Sequence, residues 1–177
     1  MNIAIQEFRN LAVSEMRAIG ELVHYSLRTP YAEMAKGFTA MLVDEARHAY
    51  SLFEAVALLG GEISPLSAGT DQSSAELDQE VFSDVRLARF LGRIAHVESE
   101  LPAVMSKTLA LVEDPELHHG LQSRLSYVAR DEDRHRLWAE KQLEMLLSGA
   151  NRKEVKEALA SVDQSCTKTE WRYAYCR

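Results

Sequence analysis

Apolar residues recur at spacings of three and four along most of this chain, the period of one buried helical face. Four long segments carry the pattern. The first runs from about Ile3 to Leu27. Thr29-Pro30 then reads as an N-cap followed by proline in the first helical position. It opens a second helix to about Leu59, where Gly60-Gly61 stops it. The polar stretch GGEISPLSAGTDQSS is too long for a tight turn and predicts a crossover connection. Ser73 with Glu76 forms a capping box for a third helix reaching about Val112. Asp114-Pro115 repeats the cap-then-proline signature and starts a fourth helix, which Ser148-Gly149 ends after Leu147. A short fifth helix is expected over 153–162, before an aromatic tail, TKTEWRYAYCR. The pattern predicts an all-α fold. Residues 1–148 form a four-helix bundle of two antiparallel hairpins joined by a long crossover, and residues 149–177 form a C-terminal extension.

Composition narrows the function classes. A chain of 177 residues suits one domain, and 46% hydrophobic residues suffice for a full core. No run approaches ~18 apolar residues, so no membrane span is expected. The first ten residues, MNIAIQEFRN, lack a basic region followed by an apolar core, so no secretory signal is expected either. A net charge of −7 argues against nucleic acid as the main partner. Cys166 and Cys176 form no CxxC pair, which excludes a rubredoxin-type iron site or zinc ribbon. Two reduced thiols in a cytoplasmic protein is the expectation, with a Cys166–Cys176 disulfide as the alternative.

The chemistry lies in a repeated motif, Asp-Glu-x-Arg-His, at 44–48 and again at 131–135. Glu45 and His48, like Glu132 and His135, are three residues apart and so share a helical face. Those faces are apolar: Phe38, Met41, Ala49 and Leu52 flank one pair, and Leu125, Val128, Ala139 and Leu143 flank the other. A charged group on such a stripe is costly unless paired or bound to metal. One Glu-x-x-His alone reads as a solvated surface pair; two on apolar stripes predict a two-metal centre. Such a centre needs one more carboxylate from each remaining helix. In an antiparallel hairpin, residues equidistant from the turn lie level. Glu15 and Glu45 are equidistant from Pro30, and Glu98 and Glu132 from Pro115. Glu15 sits among Phe8, Leu11, Ala12, Ile19 and Leu22, and Glu98 among Leu91, Ile94, Ala95, Leu101 and Met105. The rivals Glu21 and Glu100 share faces with charged residues and read as solvated. His24, His96, His118 and His119 read as surface. The predicted ligands are therefore Glu15, Glu45, His48, Glu98, Glu132 and His135.

With these residues in place, the chain resembles the di-iron carboxylate proteins of the ferritin-like superfamily over roughly residues 3–148. The Asp-Glu-x-Arg-His form is most similar to bacterial multicomponent monooxygenases and acyl-carrier-protein desaturases. The resemblance implies that Asp44 orients His135 and Asp131 orients His48, each accepting a hydrogen bond from the imidazole of the opposite helix. Arg47 and Arg134 are expected to pair with nearby carboxylates rather than metal. Pro102 removes the hydrogen bond to the Glu98 carbonyl and predicts a bend there.

Four carboxylates and two imidazoles suit two irons, with manganese or a mixed pair as alternatives. The leading expectation is an O₂-activating non-haem di-iron oxidase or monooxygenase. It would take a small-molecule substrate and electrons from an external donor, with a homodimer as the candidate assembly. A rubrerythrin-like peroxidase and ferritin-type iron storage with ferroxidase activity are the alternatives. Trp171, Tyr173 and Tyr175 read as an aromatic clasp or a pocket cover. Tyr127 reads as core, with a redox role as the lesser reading.

Overall fold

A computed structural model of the chain describes residues 2–63 and 82–166. Five helices fill most of them: α1 (Ile3–Arg28), α2 (Ala32–Leu58), α3 (Asp84–Leu109), α4 (Pro115–Leu147) and α5 (Arg152–Cys166). The described chain is all-α, as the periodicity predicted.

Local chemistry sets the helix ends. Asn2 caps α1, its side chain accepting from the Ala4 N–H at 2.9 Å. Asp114 caps α4 as expected, accepting from Glu116 and Leu117 with Pro115 in the first turn. At the end of α2, Gly60 adopts φ 78°, and the Gly60 and Gly61 N–H groups bond back to Ala57 and Val56. This Schellman stop needs a residue without a side chain at the left-handed position. The other turn corrects an expectation. Thr29 does not cap α2; its N–H bonds to the Tyr25 carbonyl, so it closes α1. Pro30 disfavours helical geometry in the residue before it, and Thr29 is extended at φ −63°, ψ 134°. The α2 N-cap is Tyr31, which makes no side-chain cap bond. Ser83 caps α3 through the Arg86 N–H. The expected capping pair Ser73 and Glu76 lies outside the described residues, as do Trp171, Tyr173, Tyr175 and Cys176.

The α1–α2 and α3–α4 hairpins pack side by side, α2 against α4 and α1 against α3. Their shared core divides into two apolar layers. One joins the start of α1 and end of α2 to the end of α3 and start of α4, through Phe8, Leu52, Met105 and Leu125. The other joins the opposite ends through Leu22, Phe38, Leu91 and Ala139. Helices α2 and α3 therefore run in the same direction. The end of α2 and the start of α3 therefore lie at opposite ends of the bundle. Helix α5 adds Val155 to the second layer and seats Leu159 against Gly92 of α3. Each buried leucine or phenylalanine contributes about 1.5–3 kcal/mol, and the two layers clamp what lies between them.

Candidate metal centre

Between the layers lies a belt of buried ionisable groups. Each helix supplies its share where it passes from one layer to the other. Glu15 follows Ala12 on α1; Glu45 and His48 sit between Met41 and Leu52 on α2. Glu98 lies between Ile94 and Leu101 on α3, and Glu132 and His135 between Val128 and Ala139 on α4. All six side chains are buried, none more than 6% exposed. The structure brings together all six residues selected from the sequence.

Their donor atoms fall into two groups. Glu15, Glu45, His48 and Glu132 place one atom each within 4.8 Å of one another, and so do Glu45, Glu98, Glu132 and His135. Glu45 and Glu132 belong to both groups. Glu15 with His48, and Glu98 with His135, lie at the two ends. Both imidazoles turn Nδ1 inward. His48 Nδ1 is 2.9 Å from Glu132 and 3.5 Å from Glu45; His135 Nδ1 is 3.1 Å from Glu45 and 3.3 Å from Glu132. These approaches lack hydrogen-bond alignment. Glu15 Oε1, Glu45 Oε2, both Glu132 oxygens and both Nδ1 atoms are buried without a hydrogen-bond partner. Buried polar atoms that converge unsatisfied are costly in a folded protein. A pair of divalent cations would satisfy them, so the donor set fits such a pair.

The outward nitrogens are held across the α2–α4 interface. His48 Nε2 lies 3.4 Å from Asp131 Oδ2, and His135 Nε2 lies 3.3 Å from Asp44 Oδ2. A carboxylate only accepts, so Nε2 carries the proton in both pairs and Nδ1 is the atom turned to a metal. Arg47 donates to Asp44 at 2.9 Å; Arg134 donates to Asp44 at 2.7 Å and lies 3.3 Å from Asp131. The two arginines do pair with carboxylates beside the site.

Electrostatics of the metal-free belt follow from this crowding. Burial first, then the adjacent charges of Glu45 and Glu132, pushes the Glu15 carboxyl well above its usual range. Burial, then Glu132, does the same to Glu98. Burial would also raise Glu45, but the imidazoles of His135 and His48 hold it well below the carboxylate range. Glu132 is likewise lowered against burial, by Glu98 and the two imidazoles. Burial opposes the imidazolium form of both histidines. Glu132 and Glu45 overcome it, raising His48 to about 9 and His135 to about 10. In the metal-free belt the crowding therefore favours the protonated form at Glu15, Glu98 and both imidazoles and the ionised form at Glu45 and Glu132.

On the carboxylate side, Ala18, Leu22, Met41, Phe90 and Ile94 line a cavity that ends on Glu45 and Glu98 and holds about one water molecule. Tyr25 stacks flat on Phe90 behind it, with ring centroids 3.8 Å apart. Helix α3 runs unbroken through Pro102, so the Glu98 carbonyl lacks its usual helical donor beside this cavity.

Three details differ from expectation. Glu21 is not solvated: it is half-buried and bonded to Arg93 of α3 at 3.0 Å, because α3 covers a face that looks polar on α1 alone. His118 is half-buried and lies 3.0 Å from the Leu109 carbonyl at the end of α3. Gly37 carries no signal in sequence, yet the Trp138 indole lies where its Cβ would be. Glu100 is exposed as expected. Among the described residues no helix is long and apolar enough to cross a membrane. No protein-family model matches the chain, and no curated protein or solved structure matches it.

Proposed function

We propose that the chain is a ferritin-like non-haem di-iron protein, an oxidase or monooxygenase that activates O₂ for a small organic substrate. The observation carrying this reading is the pair of buried donor groups sharing Glu45 and Glu132, with an apolar cavity reaching the same Glu45. Two ferrous ions held there would supply the two electrons that reduce O₂. The chain's own residues then have defined tasks. Glu45 and Glu132 would be shared by the two ions, with Glu15 and His48 holding one and Glu98 and His135 the other. Asp44 and Asp131 fix the imidazole tautomers. Glu98, at the cavity wall, lies on the side where a small molecule arrives. The lining of Leu22, Phe90 and Ile94 limits water there and so limits side reactions. Manganese suits the same donors.

The cavity's size favours a second reading. A space for about one water admits O₂ or H₂O₂ more readily than an organic molecule, as a peroxidase or ferroxidase needs. The test is to load the protein anaerobically with ferrous iron, count bound metal and follow the optical change on O₂ exposure. About two irons per chain and a change that Glu15→Ala or Glu98→Ala abolishes support a di-iron centre. Less than one metal per chain in an intact helical fold refutes it. H₂O₂ turnover with a reductant, or iron uptake into a large shell on a sizing column, would move the assignment to the second reading.

A further inference from the structure

The cavity that ends on Glu45 and Glu98 must be reached from solvent if anything is to react there. Its walls show where. Every lining residue is buried except Ala18, which is half-buried. Ala18 lies one turn before Glu21, on the face that α1 turns toward α3. Of the four seams between neighbouring bundle helices, α1–α3 is the most sparsely packed. The way in that disturbs the least packing therefore runs past Ala18.

Across this way stands an ion pair that the donor groups do not include. Glu21 and Arg93 meet at 3.0 Å, with side chains 17% and 34% exposed. Each is joined to the cavity wall along its own helix. Glu21 lies one turn after Ala18 and next to Leu22; Arg93 lies one turn after Phe90 and next to Ile94. The Arg93 guanidinium is 5.8 Å from the centre of the Phe90 ring, on which Tyr25 is also stacked. The pair is five residues from Glu98 and six from Glu15, about 8 Å along the helices. It is also weakly held. Burial opposes the Glu21 charge more than Arg93 supports it, so the carboxyl lies above its ordinary range. The Arg93 Nε is buried without a hydrogen-bond partner. A pair whose desolvation is so poorly repaid opens at little cost.

We propose that the entrance to the cavity lies on the α1–α3 seam at Ala18, and that the Glu21–Arg93 pair is the latch that sets how fast small molecules pass it. That the passing molecule is an oxidant rests on the di-iron reading; the entrance itself does not. Closed, the pair spans the seam and keeps Arg93 over Phe90. Open, it uncovers Ala18 and Phe90 together. A latch on the route changes entry and exit by one factor. It leaves affinity at the ligands unchanged, because neither residue belongs to the donor set.

The test uses buried cysteines introduced one at a time. Ile94→Cys and Met41→Cys report from the cavity wall, and Leu125→Cys from the other apolar layer as control. Metal-free protein is treated with methyl methanethiosulfonate, a small uncharged thiol reagent. Labelling is read site by site from peptide masses, so Cys166 and Cys176 do not count. A buried thiol reacts only while its cover is open, so Glu21→Gln and Arg93→Met should each speed cavity labelling about fivefold or more. Labelling at Leu125→Cys should not change. Both substitutions together should be no faster than the faster single one, because a latch opens once. On ferrous-loaded protein, nitric oxide association and dissociation should quicken by the same factor in both variants, with Kd unchanged. Unchanged cavity labelling, equal acceleration at Leu125→Cys, or factors that multiply in the double variant would overturn the latch. So would unchanged nitric oxide rates in variants that load iron normally. Labelling that follows the expected pattern in protein that takes up no iron would instead sink the di-iron reading and leave the entrance standing.

Discussion

Filling the site with metal should expel protons, and their number follows from the metal-free structure. At neutral pH, His48 and His135 are imidazoliums, with pKa raised to about 9 and about 10. Burial, then neighbouring glutamates, holds Glu15 and Glu98 well above the usual carboxyl range. Ligation needs all four groups deprotonated, while Glu45 and Glu132 already are. Two divalent cations therefore displace the two imidazolium protons, and any that the raised Glu15 and Glu98 carboxyls hold besides. At pH 7 the two histidine protons alone lower the affinity by about two decades at His48 and about three at His135. That penalty shrinks as pH rises and is gone above pH ~10.

The sign for folding is opposite. A histidine whose folded pKa is raised stabilises the metal-free fold fully below its unfolded value, near 6.5, and that stability is lost as pH rises through 9 to 10. Metal-free protein should thus melt at lower temperature toward pH 10, while the extra stability conferred by metal grows over the same range. The assay is a pH-stat titration with deoxygenated ferrous iron or redox-inert zinc at pH 6 to 7, paired with melting curves across pH. Release of at least two protons per metal pair is expected. Fewer than two, or an affinity that does not rise with pH, would refute the charge assignment and with it the inward direction of Nδ1.

Other perturbations separate function from stability. Glu98→Leu should abolish binding of the pair, yet raise metal-free stability by about 1–3 kcal/mol in urea unfolding, because burial of this carboxyl costs more than its contact with Glu132 returns. Asp131→Ala frees the His48 ring and should weaken metal binding about 10- to 100-fold in a competition titration, with little change in helical content by circular dichroism. Gly37→Ala places a methyl group inside the Trp138 indole. It should lower stability by about 1–3 kcal/mol, with Trp138 fluorescence reporting the displaced ring.

What the sequence made legible depended on how local each determinant is. The four bundle helices and the level of Glu15 with Glu45 follow from periodicity and from turns at Pro30 and Pro115, both short-range. Pro30 marked the turn correctly even though Thr29 closes α1 rather than opening α2. The same proline chemistry read correctly at Asp114 because that aspartate reaches the Glu116 and Leu117 N–H groups, whereas Thr29 is engaged by the helix behind it. Features made by two helices meeting were hidden. Glu21 looked solvated because Arg93 and the rest of α3 are distant in sequence, and nothing near Gly37 announces Trp138.

The division of the centre into two faces belongs to the same class. In sequence, the two Asp-Glu-x-Arg-His motifs are equivalent, and so are Glu15 and Glu98. Packing makes the sides unlike. Where α2 meets α4, Asp44, Asp131 and two arginines link the imidazoles to solvent by polar contacts. Where α1 meets α3, Leu22, Phe90 and Ile94 close over the carboxylates and leave only a small apolar space. A four-helix bundle gives one set of buried donors two unlike faces, because each pair of adjacent helices forms its own seam.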